Sequence, residues 1–189
     1  MSVKRSIAVI DTETTFSNDV MSIGIVIADA GSFHVKDRLY LLIAPFYQMP
    51  AMFSYAIYHG KSKPDAIENR RMAISMIHEF MRKNGADSFY AYNGRFDKSH
   101  LPELDCYHWY DIMRIAAYRQ FNPCISPDKP CCSTGRLKSG YSVECIYNML
   151  SGGSAYFETH NAVMDAEDEL KIMEMLGHDI TVYEIGKIS

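Results

Sequence analysis

The sequence predicts one domain in which helices cover a single sheet, an α/β or α+β layer architecture. Three observations predict it. A length of 189 residues suits one domain with a sizeable core. Three β-branched, apolar runs fill the first 45 residues, whereas helical patterns dominate the rest of the chain. The hydrophobic fraction of 48% and the charged fraction of 22% are ordinary for a soluble globular protein.

The predicted strands come first along the chain. Residues 5–10 read as a buried strand, and residues 20–30 and 33–45 as two more. The short "DAGS" loop between the last two suits a hairpin, so the opening strands should pair antiparallel. Two later segments, residues 87–93 and the beginning of 105–121, also look extended, and the remainder of 105–121 looks helical. The predicted sheet therefore has five strands.

The first long predicted helix covers residues 64–85. Asp65 lies near its start and Gly85 at its stop. Its apolar side chains recur at helical spacing: Ile67, Ile74, Ile77 and Met81. The segment is therefore expected to cover one face of the sheet.

Two further helices are predicted near the C-terminal end. They cover residues 141–152 and 161–177, and Asn161 is a candidate N-cap of the second. Residues 122–140 contain three prolines and two glycines and should form a loop. No internal repeat or linker divides the chain, so we expect one domain over residues 1–189.

The charge balance limits how the protein could engage nucleic acid. A net charge of −4, from 19 basic and 23 acidic residues, argues against binding through bulk positive charge. It remains compatible with an enzyme that holds a short stretch of nucleic acid locally and through metals.

Cysteine usage and apolar runs indicate the compartment. The chain has five cysteines, an odd number, and no pattern typical of a secretion signal. No run approaches the roughly 20 apolar residues of a membrane span. We expect a cytoplasmic protein with free thiols and no membrane association. Zinc is the alternative for the cysteines, although their spacing fits no standard pair of zinc knuckles.

Residues 7–16, "IAVIDTETTF", raise the question of function. Because strand side chains alternate between faces, Asp11 and Glu13 should lie side by side. Two unpaired anions repel each other and are costly to bury. A divalent cation with oxygen ligands would resolve the conflict. A solvated strand end, with both acids facing water, is the alternative.

Three more candidate ligands follow. Asp97 lies in the first turn after a strand, His160 precedes the last predicted helix, and Asp165 lies one turn into that helix. Asp165 falls at the edge of the apolar stripe of the helix, where a carboxylate is either paired or bound to metal. Glu169 also falls on this stripe, and nothing in the sequence explains it. Each residue alone also fits an ordinary surface or capping role.

The motifs taken together resemble a known family. "DTET" (11–14), "NGRFD" (93–97) and "HNAVMD" (160–165) are similar, in this order, to the three motifs of the DnaQ-like DEDDh 3′–5′ exonucleases. "IYHG" (57–60) resembles a turn that many members carry. The resemblance spans residues 7 to about 177. It implies an α/β, ribonuclease H-like fold: a mixed five-stranded sheet with antiparallel opening strands, flanked by helices.

The resemblance also implies a chemistry. Asp11, Glu13, Asp97 and Asp165 would bind two divalent cations, Mg²⁺ or Mn²⁺, which carboxylates suit. His160 would act as the general base, and all five residues would be catalytic. The protein would hydrolyse phosphodiester bonds at the 3′ end of single-stranded DNA or RNA and release nucleoside 5′-monophosphates.

Substrate contacts are less clearly marked. The candidates are Thr12, Thr14, Phe16, His59 and Asn93. Phe16 stands where the family often has glycine, and it either stacks on a base or closes the core of the sheet. Four cations in predicted loops are candidate phosphate contacts, or else ordinary surface charge: Lys61, Lys63, Arg136 and Lys138.

Two other functions stay open at this point. One is an endonuclease of the same fold, although the His-x-x-x-x-Asp spacing matches the exonuclease group. The other is a non-catalytic or weakly active module that binds nucleic acid or a polymerase, although a pure binder would not need the acids. The sequence leaves a polymerase partner and oligomerisation undecided.

Overall fold

The computed structural model describes residues 5–58, 62–153 and 155–189. These residues form one sheet of seven strands with helices on both faces. The strands are β1 (Ser6–Thr14), β2 (Val20–Asp29), β3 (Val35–Ala44), β4 (Ala66–Asn69), β5 (Ala86–Ala91), β6 (His108–Asp111) and β7 (Lys187–Ile188). The helices are α1 (Arg70–Asn84), α2 (Arg95–His100), α3 (Met113–Ala116), α4 (Val143–Leu150) and α5 (Ala162–Leu176). His59 and Lys61 lie outside the described residues.

The strand order across the sheet is β4-β3-β2-β1-β5-β6-β7. Strand β1 pairs antiparallel with β2 and parallel with β5, so the sheet is mixed and its opening strands are antiparallel, as predicted. The five predicted strands form its central part. The short strands β4 and β7 add one strand at each edge, which corrects the predicted number from five to seven.

Strand β1 is buried on both faces, which explains its unbroken apolar run. Ile7 and Val9 belong to the apolar cluster that includes α5, whereas Ala8 and Ile10 belong to the cluster that includes α1. Because the side-chain period of a strand is two, the next odd-numbered residues, Asp11 and Glu13, continue along the α5 side. The alternation therefore brings both acids to the helix that carries Asp165.

The helix predicted over residues 64–85 begins later, at Arg70. The four residues before it form β4, which pairs parallel with β3. Asp65 does not start the helix, because its carboxylate accepts a hydrogen bond of 2.8 Å from the backbone N–H of Tyr40. Asn69 is the actual cap, and its side chain accepts from the N–H of Met72 at 3.1 Å.

Two other local predictions need correction. Asn161 stands at the N-cap position of α5, but its side chain makes no capping hydrogen bond. Its amide donates instead to the carbonyls of Ala56 and Ile57, at 2.9 and 3.3 Å, and ties α5 to the neighbouring 3₁₀ turn. In the segment 105–121, the helical part is limited to the four residues of α3.

The remaining global expectations concern membranes and thiols. Within residues 5–58, 62–153 and 155–189, no helix is long and apolar enough to cross a bilayer. All five cysteines are free thiols, and none belongs to a group of described residues that could hold a metal ion. The zinc alternative therefore has no support in the described structure.

Candidate active site

Glycine at one position of β2 allows α5 to approach the acid-bearing end of β1. Gly24 is the β2 partner of Asp11. A Cβ atom on Gly24 would lie 2.2 Å from the carbonyl carbon of Ala162 and 2.2 Å from the nitrogen of Val163. Only glycine lets the first turn of α5 sit directly on the strand. That contact fixes how far Asp165 and His160 stand from β1.

Glu13, His160 and Asp165 come together at this point. One potential ligand atom from each lies within 4.8 Å of the others. His160 has a φ of +55°, and its ring stacks on that of Phe53 with centroids 3.4 Å apart. The hydroxyl of Thr159 donates to Asp165 at 3.2 Å. The loop before α5 therefore holds the imidazole beside the two carboxylates.

Asp97 reaches the same region from α2. One of its oxygens accepts from the backbone N–H of Thr12 at 3.1 Å and from the Thr12 hydroxyl at 2.8 Å. Asp97 is buried and lies in the first turn of its helix. Since Thr12 stands between Asp11 and Glu13, this pair of hydrogen bonds joins the second motif to the first. Thr12 therefore positions an acid, and a direct contact with substrate stays a prediction.

A fifth carboxylate, Glu169, joins the other four. It is 2% exposed, and its Oε2 atom accepts from the backbone N–H of Tyr92 at 3.0 Å. Its charge acts on Asp11. We call Asp11, Glu13, Asp97, Asp165 and Glu169 the acid cluster. The signal for Glu169 in the sequence is its place on the apolar stripe of α5, where a carboxylate is unexpected.

Three carboxyl groups of the acid cluster, those of Asp11, Asp97 and Glu169, have raised pKa values. Burial, followed by the charges of Asp97 and Glu169, raises the pKa of Asp11 well above its ordinary value. Burial and the charge of Asp97 do the same to the pKa of Glu169. Burial raises the pKa of Asp97 to about 7, although its hydrogen bonds from Thr12 oppose the change.

The two carboxyls beside His160 behave in the same way. Burial and the charge of Asp165 raise the pKa of Glu13 to about 8, and burial with Glu158 raises that of Asp165 to about 8. No lysine or arginine among the described residues forms an ion pair with any member of the acid cluster. Burial lowers the pKa of His160, so the ring favours its neutral form. The cluster thus gathers five ionisable carboxyl groups, and no cation among the described residues pairs with them.

The donor set fits divalent cations. The Oδ2 atom of Asp11 is buried and has no hydrogen-bond partner among the described residues. All acid-cluster donors are carboxylate oxygens, which hard cations such as Mg²⁺ and Mn²⁺ prefer. Unpaired buried carboxylates are otherwise costly, so a cation would relieve a cost that the fold carries.

A groove opens beside the acid cluster. Its volume is about 350 Å³, and its apolar wall includes Phe16, Met52, Phe53 and Phe96. Phe16 is 69% exposed, so the alternative that it closes the core is wrong. Thr14 also lines the groove. The groove therefore places exposed aromatic rings next to the carboxylates.

Two other candidates, Asn93 and Lys63, are not among the residues that line the groove. Asn93 is exposed with a φ of +59°, and its backbone N–H donates to Asp111 at 3.1 Å. Lys63 lines a different cavity of about 640 Å³, together with Met164 and Glu167. The structure therefore does not bring Lys63 to the groove.

Solved exonuclease structures share this fold. A 3′-exonuclease, in a structure on 3′-end-specific recognition of the histone mRNA stem-loop, matches with a TM-score of 0.66 and 14% identity, over 93% of this chain and 65% of its own. The nuclease domain of 3′hExo, a DEDDh family member bound to rAMP, matches with 0.64 and 12% identity, over 98% and 94%. Exonuclease I of E. coli, in complex with a dA16 oligonucleotide, matches with 0.61 and 14% identity, over 96% and 42%.

These similarities establish the class of fold. The chain has the ribonuclease H-like fold of these exonucleases, as its motifs led us to expect. It spans less than two thirds of the length of the first structure and less than half of exonuclease I. No protein-family model and no curated protein matches the sequence. At these identities the similarity concerns the fold alone, so the activity rests on the site.

Proposed function

We propose that the protein is a metal-dependent 3′–5′ exonuclease of the DEDDh type, formed by a single domain. The observation that carries the proposal is the convergence of Glu13, His160 and Asp165, with ligand atoms within 4.8 Å of one another. These residues come from the first and third motifs, and Thr12 joins the second motif to them through Asp97. The fold supports the same activity.

Asp11, Glu13, Asp97 and Asp165 would hold two divalent cations, Mg²⁺ or Mn²⁺. When bound, such cations supply positive charge that activates a water molecule and stabilises the leaving 3′ oxygen. The carboxylates orient that charge because each is fixed by a strand, a helix or a hydrogen bond. Rigid placement of this kind is what phosphoryl transfer requires of a protein.

His160 would accept the proton of the attacking water. Its ring lies beside Glu13 and Asp165, and stacking on Phe53 restricts its orientation. A neutral imidazole is the form that can accept a proton, and burial favours that form. General-base catalysis of this kind contributes roughly 10²–10⁴-fold to a rate.

The groove would hold the terminal nucleotide of a single strand. Exposed rings such as Phe16 can stack on any base without reading sequence. Thr12, Thr14 and Asn93 are the other candidate contacts in the described structure. Hydrolysis there would release nucleoside 5′-monophosphates one at a time from a 3′ end of DNA or RNA.

A labelled oligonucleotide tests the proposal. A 5′-labelled single strand is incubated with Mg²⁺ or Mn²⁺, with and without a chelator, in DNA and RNA versions. We expect a ladder that shortens from the 3′ end and that the chelator abolishes. Asp165→Asn, which removes a charge but keeps the shape, is the control against a contaminating nuclease.

Other outcomes identify the competing functions. Cuts in circular DNA, which has no end, would identify an endonuclease. A shifted band without cleavage, at saturating Mn²⁺, would identify a non-catalytic binding module. Either result would replace the exonuclease proposal.

A further inference from the structure

Positive charge is concentrated in one segment of this acidic protein. Residues 112–141, which we call the 112–141 surface, contain five cations and one acid, Asp128. The cations are Arg114, Arg119, Lys129, Arg136 and Lys138. The rest of the chain has 14 basic and 22 acidic residues, a net charge of −8. The segment therefore has a charge opposite to that of the remaining protein.

These cations are not used in ion pairs. Among the described residues, salt bridges involve seven other cations: Arg5, Lys36, Arg38, Arg70, Lys83, Lys98 and Lys171. On the 112–141 surface, Arg136 is half-buried and the other four cations are exposed. Unpaired, accessible cations attract a polyanion and release its counterions on binding.

The 112–141 surface is ordered by an alternation of arginine and tyrosine. The guanidinium of Arg114 lies 5.2 Å from the centre of the Tyr118 ring, and that of Arg136 lies 5.3 Å from the Tyr141 ring. Tyr118 and Arg136 also pair as an antiparallel bridge. The neighbouring Leu137 is buried, and its N–H donates to the carbonyl of Ala117 at 3.0 Å. The two guanidinium groups are thus held in place before any ligand binds.

One end of this surface adjoins the candidate active site. The carbonyl of Tyr141 accepts from the hydroxyl of Tyr92 at 2.6 Å, and Tyr92 is the residue whose N–H holds Glu169. The charge of Arg114 acts on Asp111, which accepts from the N–H of Asn93 at 3.1 Å. Apolar residues of the segment join the same core cluster as α5. The segment therefore packs on the α5 side of the sheet, and Tyr141 and Arg114 connect it to residues beside the acid cluster.

We propose that the 112–141 surface binds the sugar-phosphate backbone of the nucleotides that lie 5′ to the one being removed. This inference rests on the proposed exonuclease function and adds a second contact region to it. A guanidinium can bind two phosphate oxygens at once, and its plane can stack on a base. The surface thus explains how a chain with a net charge of −4 can retain a polyanion during repeated cleavage.

Binding without catalysis is the first test. The double variant Arg136→Gln/Lys138→Gln is compared with wild type by fluorescence anisotropy of a 5′-labelled single-stranded 20-mer, in EDTA and across a salt series. Each lost phosphate contact lowers the salt slope by about 0.7, so we expect a decrease of about 1.4. Lys129→Gln/Lys138→Gln, which alters only exposed side chains, is the second variant if the first folds poorly. Unchanged slopes would overturn the proposal.

The matched control changes the same amount of charge elsewhere. Arg71→Gln/Arg82→Gln removes two exposed cations from α1, which packs on the opposite face of the sheet. We expect its salt slope to equal that of wild type. An equal decrease in the control would show that only net charge matters, which would also overturn the proposal. Binding of poly-glutamate as tightly as the 20-mer would overturn the assignment to nucleic acid.

Catalysis separates this inference from the function on which it rests. With Mn²⁺, kcat/KM is measured for the 20-mer and for a dinucleotide, which is too short to reach beyond the site. We expect the double variant Arg136→Gln/Lys138→Gln to lower the ratio of kcat/KM for the 20-mer to kcat/KM for the dinucleotide by about tenfold. An equal decrease of kcat/KM on both substrates would refute the role of the 112–141 surface but would not contradict the proposed exonuclease activity. If the wild-type protein binds the 20-mer but cleaves neither substrate, the proposed exonuclease activity is refuted. The salt slopes then still test whether the 112–141 surface binds nucleic acid.

Discussion

Gly24→Ala should disable the site without touching any candidate catalytic residue. The added Cβ would lie 2.2 Å from backbone atoms of Ala162 and Val163, where ordinary contact begins near 3.4 Å. Strand β2 and the first turn of α5 must therefore separate by about 1 Å. Strand β2 is paired on both sides, with β1 and β3, so it resists movement. The first turn of α5 is the part that should yield.

The size of the effect on activity follows from the residues next to the first turn of α5. His160 and Asp165 flank the displaced residues, so both should move relative to Glu13 on β1. A misplacement of about 1 Å in a catalytic arrangement costs about 100-fold in rate. Overpacking of a core contact costs about 1–3 kcal/mol of the free energy of unfolding. In a domain of this size, each kcal/mol lowers Tm by about 2–4 °C.

The assay compares two alanine variants. Gly31→Ala is the control, because the nearest atom to its Cβ, the Asp29 Oδ1, lies at an ordinary 3.5 Å. Thermal melting and kcat/KM for nucleotide release are measured for both, at a temperature where both are folded. We expect near-wild-type values for Gly31→Ala and a loss of about 100-fold for Gly24→Ala. If Gly24→Ala kept the wild-type rate and Tm, the direct seating of α5 on β2 would be refuted.

Four further outcomes are expected. Asp11→Ala should abolish cleavage together with Mn²⁺ binding measured by calorimetry, and equal metal affinity in the variant and wild type would contradict its role. His160→Ala should lower kcat by roughly 10²–10⁴-fold while the same titration shows unchanged metal affinity. Phe16→Ala should raise KM for single strands but leave metal affinity unchanged, and an unchanged KM would remove it from the binding site. Without metal, the pKa values of Asp97 and Asp165 are raised to about 7 and about 8, so the folded state binds more protons than the unfolded chain above about pH 4. The free energy of unfolding in EDTA should therefore fall as pH rises toward about 8, and a Tm that rose over this range would contradict the burial of these acids.

The sequence predicted those parts of the site that depend on local periodicity. The two-residue period of a strand was enough to place Asp11 and Glu13 on one face, and β1 extends through both of them. The ribonuclease H-like fold, by contrast, was expected because the three motifs, in their order, resemble those of the DEDDh exonucleases. The placement of the two acids depends only on a short stretch of backbone, whose geometry hardly changes with tertiary context.

Predictions that depended on distant parts of the chain were less successful. The residues of β4 have a helical pattern, yet they pair with the exposed edge of β3, whose backbone groups need partners. Asn161 has the composition of a helix cap, yet the nearby carbonyls of Ala56 and Ile57 compete for its amide. Both cases show a tertiary hydrogen bond overriding a local preference.

Glu169 shows the same limit within the site itself. Its position on the apolar stripe of α5 marked it as unusual, but its partner, the N–H of Tyr92, lies 77 residues away. No spacing rule links two such positions. Only the hydrogen bond from Tyr92, the residue after β5, reveals that the carboxylate completes the acid cluster.

The fold and the proposed function are connected through charge. Three buried and two half-buried carboxylates at one place are unfavourable for the protein alone, as their raised pKa values indicate. Two divalent cations would offset four negative charges. The carboxyl groups that are protonated without metal would release their protons as the cations bind. Metal binding should therefore stabilise the fold most at pH values at which the acids would otherwise be ionised and unpaired. In the proposed arrangement the acid cluster would attract the cations, the cations would attract the scissile phosphate, and the 112–141 surface would hold the phosphates beyond it.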